Sequence, residues 1–405
     1  MHVPPVLRHR DFRLLLSGMS AIGLGSAIAP VALAFAVLDL GGSAAQLGLV
    51  VAAYALAEVA TVLLGGVLGD RLPRQRLART AAAAAAVSQG VAATLLVTDR
   101  ASIGLLTVIG VVNGCLVALG NPSANALTRQ TVPETDLGSA VTLRRLSQNT
   151  AQVVGYSVAG LLVASIGSGW AIAIDAFTFV VAAACFGLIR VEPEPGPVLP
   201  TTPWGELRDG AAEVLRHTWL WLLIAQALVY HLFFGGAHAV LGPIVVGDAL
   251  GRAAWGWALA ALMTGFIAGG LVSLRWRPRR GLFVGTMLLT LTAAFPVAMA
   301  LSDHLAPLLL GAFLHGLGLE LFSVSWDLSI QQNVAPDKLA RVYAFDLVGS
   351  FVARPIGLAL TGPVAATVGF DRWLLVVGAV MAGTSLLALL SPSVRNLERR
   401  DLAPT

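Results

Sequence analysis

Long apolar runs separated by short polar breaks account for most of this chain. Six cover residues 14–38, 47–69, 78–98, 102–121, 141–166 and 168–189, and six more cover 218–246, 254–274, 281–301, 305–331, 342–369 and 371–391. A helix needs about 20 apolar residues to cross the hydrocarbon of a bilayer, and only helices or closed barrels satisfy their backbone there. The pattern therefore predicts an all-α membrane protein with twelve transmembrane helices. Most breaks are so short that consecutive helices must be antiparallel neighbours. The connection after the sixth run is different. Its string VEPEPGPVLPTTP is too rich in proline for a helix, and 204–217 reads as an amphipathic helix lying at the membrane surface. The expected organisation is a six-helix half at 1–190, a linker at 191–217 and a second six-helix half at 218–405.

Composition agrees with the pattern. Only 12% of residues are charged and 57% are hydrophobic, against about 25% charged in soluble domains. The formal net charge is +4, but the basic residues are spread over short loops. Nucleic acid is therefore not an expected partner. Their distribution fixes an orientation. With both termini inside, all but four of the 26 Lys and Arg fall on the inner side. Arg100, Arg252 and Arg372 lie outside, and Arg354 lies within a run. This bias predicts cytoplasmic termini. Cys115 and Cys185 both sit in apolar runs, so no disulfide framework is expected. Residues 1–13 are polar and the run after them is too long for a signal h-region, so no cleavable signal peptide is expected.

The break after the second run carries the most specific local pattern. There GGVLGDRLPRQRLAR places Asp70 and four arginines in one short connection. Its Gly66-x-Leu68-x-Asp70-Arg71-x-x-Arg74 resembles the loop between helices 2 and 3 of the major facilitator superfamily, written G-x-L-A-D-R-x-G-R-K. The sequence departs from that motif at Pro73 and Gln75, which makes the loop stiffer and one charge poorer. Close to half a chain length later, GGLVSLRWRPRRG at 269–281 repeats the arginine cluster after the second run of its own half, without an aspartate. Two parallel six-helix halves are the architecture of that superfamily. The resemblance implies a gating role for Gly66, Asp70, Arg71 and Arg74, with Asp70 docking near Arg341 at the start of span 11.

Three longer strings narrow the likeness. APVALAFAVLDLGGSAAQLGLV, IDAFTFVVAA and SWDLSIQQNVAPDKLARVYAFDLVGS are similar to bacterial exporters of the siderophore and macrolide efflux branch. A degraded form of the antiporter motif of span 5 is present as Gly155-Tyr156-Ser157-Val158-Ala159-Gly160. It lacks the proline that kinks that helix in the family. In such proteins spans 1, 4, 7 and 10 line a central cavity, spans 2, 5, 8 and 11 flank it, and the rest are outer braces.

Ionisable groups at membrane depth are costly and mark function. Glu58 lies at the centre of span 2, Glu320 near the centre of span 10, and Arg354 near the middle of span 11. One arginine neutralises one carboxylate, which leaves the other acid able to take up and release a proton. Glu320 and Glu58 are the proton-coupling candidates, with Arg354 as charge partner. His315, His231, Gln148, Gln152 and Tyr156 are candidates for the cavity. The last three belong to a stripe that starts at Arg145 and that faces either the cavity or the seam. Asp175, on a brace helix, reads as a fixed structural acceptor.

No P-loop, metal-ligand spacing or nucleophile elbow is present, so neither an enzyme nor an ATP-driven pump is expected, and no cofactor or metal is implied. The resemblance implies a monomeric secondary transporter in the bacterial cytoplasmic membrane. It would export a drug-like or secondary-metabolite small molecule by alternating access, with protons as partners in antiport. Proton-coupled uptake of a small metabolite is the alternative.

Overall fold

The computed structural model describes residues 5–71, 73–191, 203–335 and 338–399; the side chains of 5, 62–71, 203–207, 209 and 340 lie outside that description. Among the described residues, twelve helices are long and apolar enough to cross a membrane. Spans 1 to 6 are Arg10–Asp39, Ala44–Arg71, Arg74–Val97, Ile103–Thr131, Leu137–Ile166 and Ser168–Leu188. Spans 7 to 12 are Thr218–Leu250, Arg252–Arg275, Gly281–Leu301, Leu305–Asn333, Arg341–Val368 and Phe370–Leu389. The linker helix is Pro203–Arg216. The expected ranges agree closely, except that span 4 runs ten residues further, to Thr131.

Contacts divide the chain into two compact units. The first holds Met1–Leu199 together with Gly251–Ala260, and the second holds Pro200–Leu250 together with Ala261–Thr405. The linker helix packs with the second unit, and the first turns of span 8 pack with the first.

In the first unit span 3 packs on spans 4 and 6, span 1 on spans 5 and 6, and span 2 on span 4. The alanine run of span 3 shows why. Ala81, Ala82, Ala85 and Ala86 are buried while Ala83 and Ala84 are exposed, so one helical face of methyl groups lets the neighbouring backbones come close. Leu15 and Met19 of span 1, Leu127 of span 4 and Phe179 and Phe186 of span 6 fill in over it. The start of span 8 is seated on span 5. A side chain on Gly256 would lie 2.5 Å from the Tyr156 carbonyl oxygen, so only glycine permits that approach.

The second unit repeats these pairings. Span 9 packs on spans 10 and 12, span 7 on spans 11 and 12, and Gly265 and Gly269 of span 8 abut span 10. The linker helix lies on the first part of span 11. Its Val214 joins Trp219, Leu220, Trp326, Ile330 and Val342 in an apolar cluster.

Three spans of this unit are interrupted, a feature the hydrophobic pattern does not express. Span 7 opens into a π-turn at Ala237–Leu241, just before Pro243. Span 9 tightens to 3-10 geometry at Leu289–Ala293, just before Pro296. Span 11 is divided between Leu339–Phe351 and Arg354–Val368, with Pro355 in the first turn of the second piece. Proline cannot donate to the carbonyl four residues back and its ring crowds the preceding turn, so each break has a local cause.

Candidate functional site

The proposed gating motif falls mostly outside the described side chains: Gly66, Asp70 and Arg71 belong to 62–71. Its ends are described. Pro73 stands at the N-cap of span 3 with an extended ψ of 119°, and Arg74 is half-buried. Gln75, where the family motif has lysine, donates through Nε2 to the carbonyls of Phe186 at 2.8 Å and Ile189 at 2.7 Å. The departure from the motif therefore ties the start of span 3 to the end of span 6.

Both candidate acids are half-buried in their spans. Glu58 follows Tyr54 and Ala57, which lie against Gly114 of span 4. Glu320 faces span 8, where a side chain on Gly269 would lie 2.8 Å from the Glu320 Cβ. The bare glycine makes the room that the carboxylate side chain occupies.

Arg354 starts the second piece of span 11, at the break rather than within a continuous helix. The structure gathers it with span 7: its Cγ lies 3.2 Å from where a Gly235 side chain would begin, and His231 and His238 both lie within its electrostatic reach. His231 donates through Nδ1 to the Ala227 carbonyl at 2.8 Å and packs its ring on Phe351, centroids 4.0 Å apart. His238 sits on the π-turn, a distortion found often at functional sites. The sequence reading did not single out His238; its position four residues after Phe234 and five before Pro243 was the available signal.

His315 is fully buried. Its Nδ1 donates to the Thr292 carbonyl at 2.8 Å, so the neutral ring accepts at Nε2 from the Tyr230 hydroxyl, 2.7 Å away. Phe234 stacks on it with centroids 4.3 Å apart. Every polar atom of this ring is engaged in joining spans 7, 9 and 10.

On span 5 the rotation of the stripe needs correction. Arg145 is exposed, and Arg144 is the buried arginine, with 8% of its surface accessible. Its NH1 donates to Asn125 Oδ1 of span 4 and to Gln148 Oε1 at 3.2 Å, and touches Met19 Sδ of span 1 at 3.9 Å. Next to this network Ser20 and Ser147 share a 2.7 Å hydrogen bond. Gln152 and Tyr156 are half-buried further along the helix. Asp175 is 1% accessible; its Oδ2 accepts from Gln89 Nε2 at 2.6 Å, while its Oδ1 is buried without a hydrogen-bond partner. Gly25 of span 1 leaves the space its carboxylate needs. Among the described residues no His, Cys, Asp and Glu group is arranged to hold a metal ion.

Known proteins give this geometry a context. The multidrug efflux pump Tap of Mycobacterium tuberculosis is 27% identical over 408 residues, covering 96% of this chain and 95% of that protein. The macrolide efflux protein A of Streptococcus pyogenes is 24% identical over 411 residues, covering 96% and 97%. Among solved structures, a variant of the nucleoside transporter NupG superposes with a TM-score of 0.76 at 13% identity, covering 94% of this chain and 98% of that one. A bacterial homologue of the human lysosomal transporter Spinster gives 0.72 at 16%, covering 97% and 98%. At such identities these two structures support the fold alone. The family profile of the Major Facilitator Superfamily matches residues 14–268. This chain, with its twelve spans, belongs to the major facilitator superfamily, a family of membrane transporters and not of enzymes.

Proposed function

We propose that the chain exports drug-like small molecules across the bacterial cytoplasmic membrane, by alternating access and in exchange for protons, as a monomer with both termini in the cytoplasm. The observation that carries this reading is the end-to-end similarity to two efflux proteins, Tap and the macrolide efflux protein, over 96% of the chain in each case. The distribution of basic residues supports the orientation. The halves that alternate are 1–190 and 218–405, joined by the linker at 191–217.

The engaged hydrogen bonds of His315 argue for a positioning role, which leaves Glu320 and Glu58 as the groups available for proton exchange. Glu320 takes precedence because it lies on span 10, a cavity-lining position in the family. Asp70 and Arg74 would hold the cytoplasmic side closed.

Expression in a bacterial strain stripped of its own exporters tests the direction. Accumulation of a labelled macrolide and of a cationic dye should fall, and should recover when the proton gradient is dissipated. Increased accumulation would favour proton-coupled uptake; unchanged accumulation of a broad panel would remove the export reading.

A further inference from the structure

Arg144 presents a problem that the transport reading does not solve. A guanidinium buried among packed helices needs charge compensation, and burying an unpaired ion is expensive. Its partners are Asn125, Gln148 and Met19, all neutral and all engaged through the same terminal nitrogen, NH1. No carboxylate pairs with it among the described residues. Arg145 adds a second positive charge beside it. The Nε of Arg144 is buried and has no hydrogen-bond acceptor.

The unused edge has a definite shape. Nε and the second terminal nitrogen form the fork that binds both oxygens of a carboxylate or phosphate through parallel hydrogen bonds. Asn125 and Gln148 hold the other side of the guanidinium, so the fork is fixed in direction before any ligand arrives.

We propose that Arg144 is an oxyanion-reading subsite: its Nε edge binds a carboxylate or phosphate-type group, carried either on a transported small molecule or on the headgroup of an anionic lipid. The inference uses the small-molecule transport reading only to name one bearer of that group, and it is tested by binding, without reference to direction.

The full chain is placed in phosphatidylcholine nanodiscs, and binding of rhodamine B, which has a free carboxylate, is compared with binding of its ethyl ester by fluorescence anisotropy. The native protein should prefer the acid by at least about tenfold, the lower range for a charge-assisted hydrogen bond. In Arg144→Gln the preference should vanish while ester binding persists, which also reports that the variant is folded. Arg144→Lys should keep part of the preference, as a point charge without the fork. Arg145→Gln should keep all of it. Adding phosphatidylglycerol separates the two bearers: competition with the acid assigns the subsite to lipid headgroups, and indifference assigns it to cargo. Equal binding of acid and ester by the native protein would overturn the proposal, as would a preference that survives Arg144→Gln or is lost in Arg145→Gln. Export could fail in cells with this preference intact, and the reverse, so the two readings are separable.

Discussion

His315 reaches across from span 10 to donate a hydrogen bond to the backbone carbonyl of Thr292 in span 9. The α-helical donor to that carbonyl would be residue 296, which is proline and has no N–H. His315 Nδ1 reaches it from span 10 at 2.8 Å, and the ring's other nitrogen takes the Tyr230 hydroxyl from span 7 at 2.7 Å. One imidazole thus joins three spans.

This arrangement predicts an order of stabilities. His315→Leu strands the buried Tyr230 hydroxyl, at about 1–3 kcal/mol, and also takes a donor from the Thr292 carbonyl. Tyr230→Phe strands a single buried acceptor, Nε2 of His315, at about 1–3 kcal/mol, and leaves the Thr292 contact in place. Thermal unfolding in detergent should show the larger fall for His315→Leu. Equal falls would mean that the Thr292 contact contributes nothing.

Gln75 gives a second prediction. Gln75→Ala loses two hydrogen bonds to carbonyls at the end of span 6 and should lower stability by roughly 1–3 kcal/mol, from about 0.5–1.5 for each. Gln75→Lys, which restores the family residue, retains a donor and should lie between the two. The unfolding midpoints of the three proteins decide it; a lysine variant weaker than the alanine one would contradict the account.

The distribution of what was legible in the sequence follows from what each signal encodes. Span number and range were readable because crossing a bilayer requires a long unbroken apolar run, and little else produces one. The interruptions at Ala237–Leu241, Leu289–Ala293 and before Arg354 were signalled by Pro243, Pro296 and Pro355. A run that is apolar throughout still reads as continuous, because hydropathy is blind to backbone register. Arg144 was missed for a rotational reason. Successive residues differ by about 100° around a helix, and with polar residues on both flanks the pattern could not say which of Arg144 and Arg145 turned inward. The partnership of Gln89 with Asp175 joins residues far apart in sequence, which no local pattern encodes.

At the far end of span 1, Asp39 and Arg252 form an ion pair, with NH1 to Oδ2 at 2.9 Å and the side chains 38% and 37% accessible. The guanidinium carbon also lies 5.1 Å above the Phe35 ring. An exposed pair of this kind is worth up to about 1 kcal/mol. Arg252→Asp should therefore destabilise through repulsion with Asp39, and Asp39→Arg combined with Arg252→Asp should recover most of the loss. Measured midpoints at low and high salt test this. A double variant no better than the single one would show that the pair is incidental.

The linker helix is held by Glu213, whose carboxylate accepts from Lys338 at 2.8 Å and pairs also with Arg216 and His217. The hydrogen bond from Lys338 is the main reason its carboxyl titrates below the ordinary value, against a partial counter-effect of burial. A depressed carboxylate contributes stability that is present above the unfolded value and lost as pH falls through the folded one. Attachment of the linker helix should accordingly be constant near neutrality and weaken only in acid, below the ordinary carboxylate range. Protection of the amides of 203–216, taken relative to their intrinsic exchange rate at each pH, should fall there in the native protein. Glu213→Gln should show the lower protection already at neutral pH, and identical protection in both proteins would sink the prediction.

The proposed proton coupling carries the largest energetic consequence. A proton moving down one pH unit releases about 1.4 kcal/mol, enough for a tenfold gradient of cargo in one-for-one electroneutral exchange. Each net charge moved adds about 2.3 kcal/mol per 100 mV of membrane potential. The carrier must lose its proton to one side and regain it from the other, which an arginine cannot do. His315 is committed to Thr292 and Tyr230. Glu320 is half-buried and occupies space that Gly269 leaves open. In liposomes, Glu320→Gln should abolish cargo-driven proton flux while exchange of labelled for unlabelled cargo continues, because the amide resembles the protonated acid. Glu58→Gln should do the same only if that residue, on span 2, is the carrier instead. Proton flux that persists in both variants would place the coupling group elsewhere or show transport without protons.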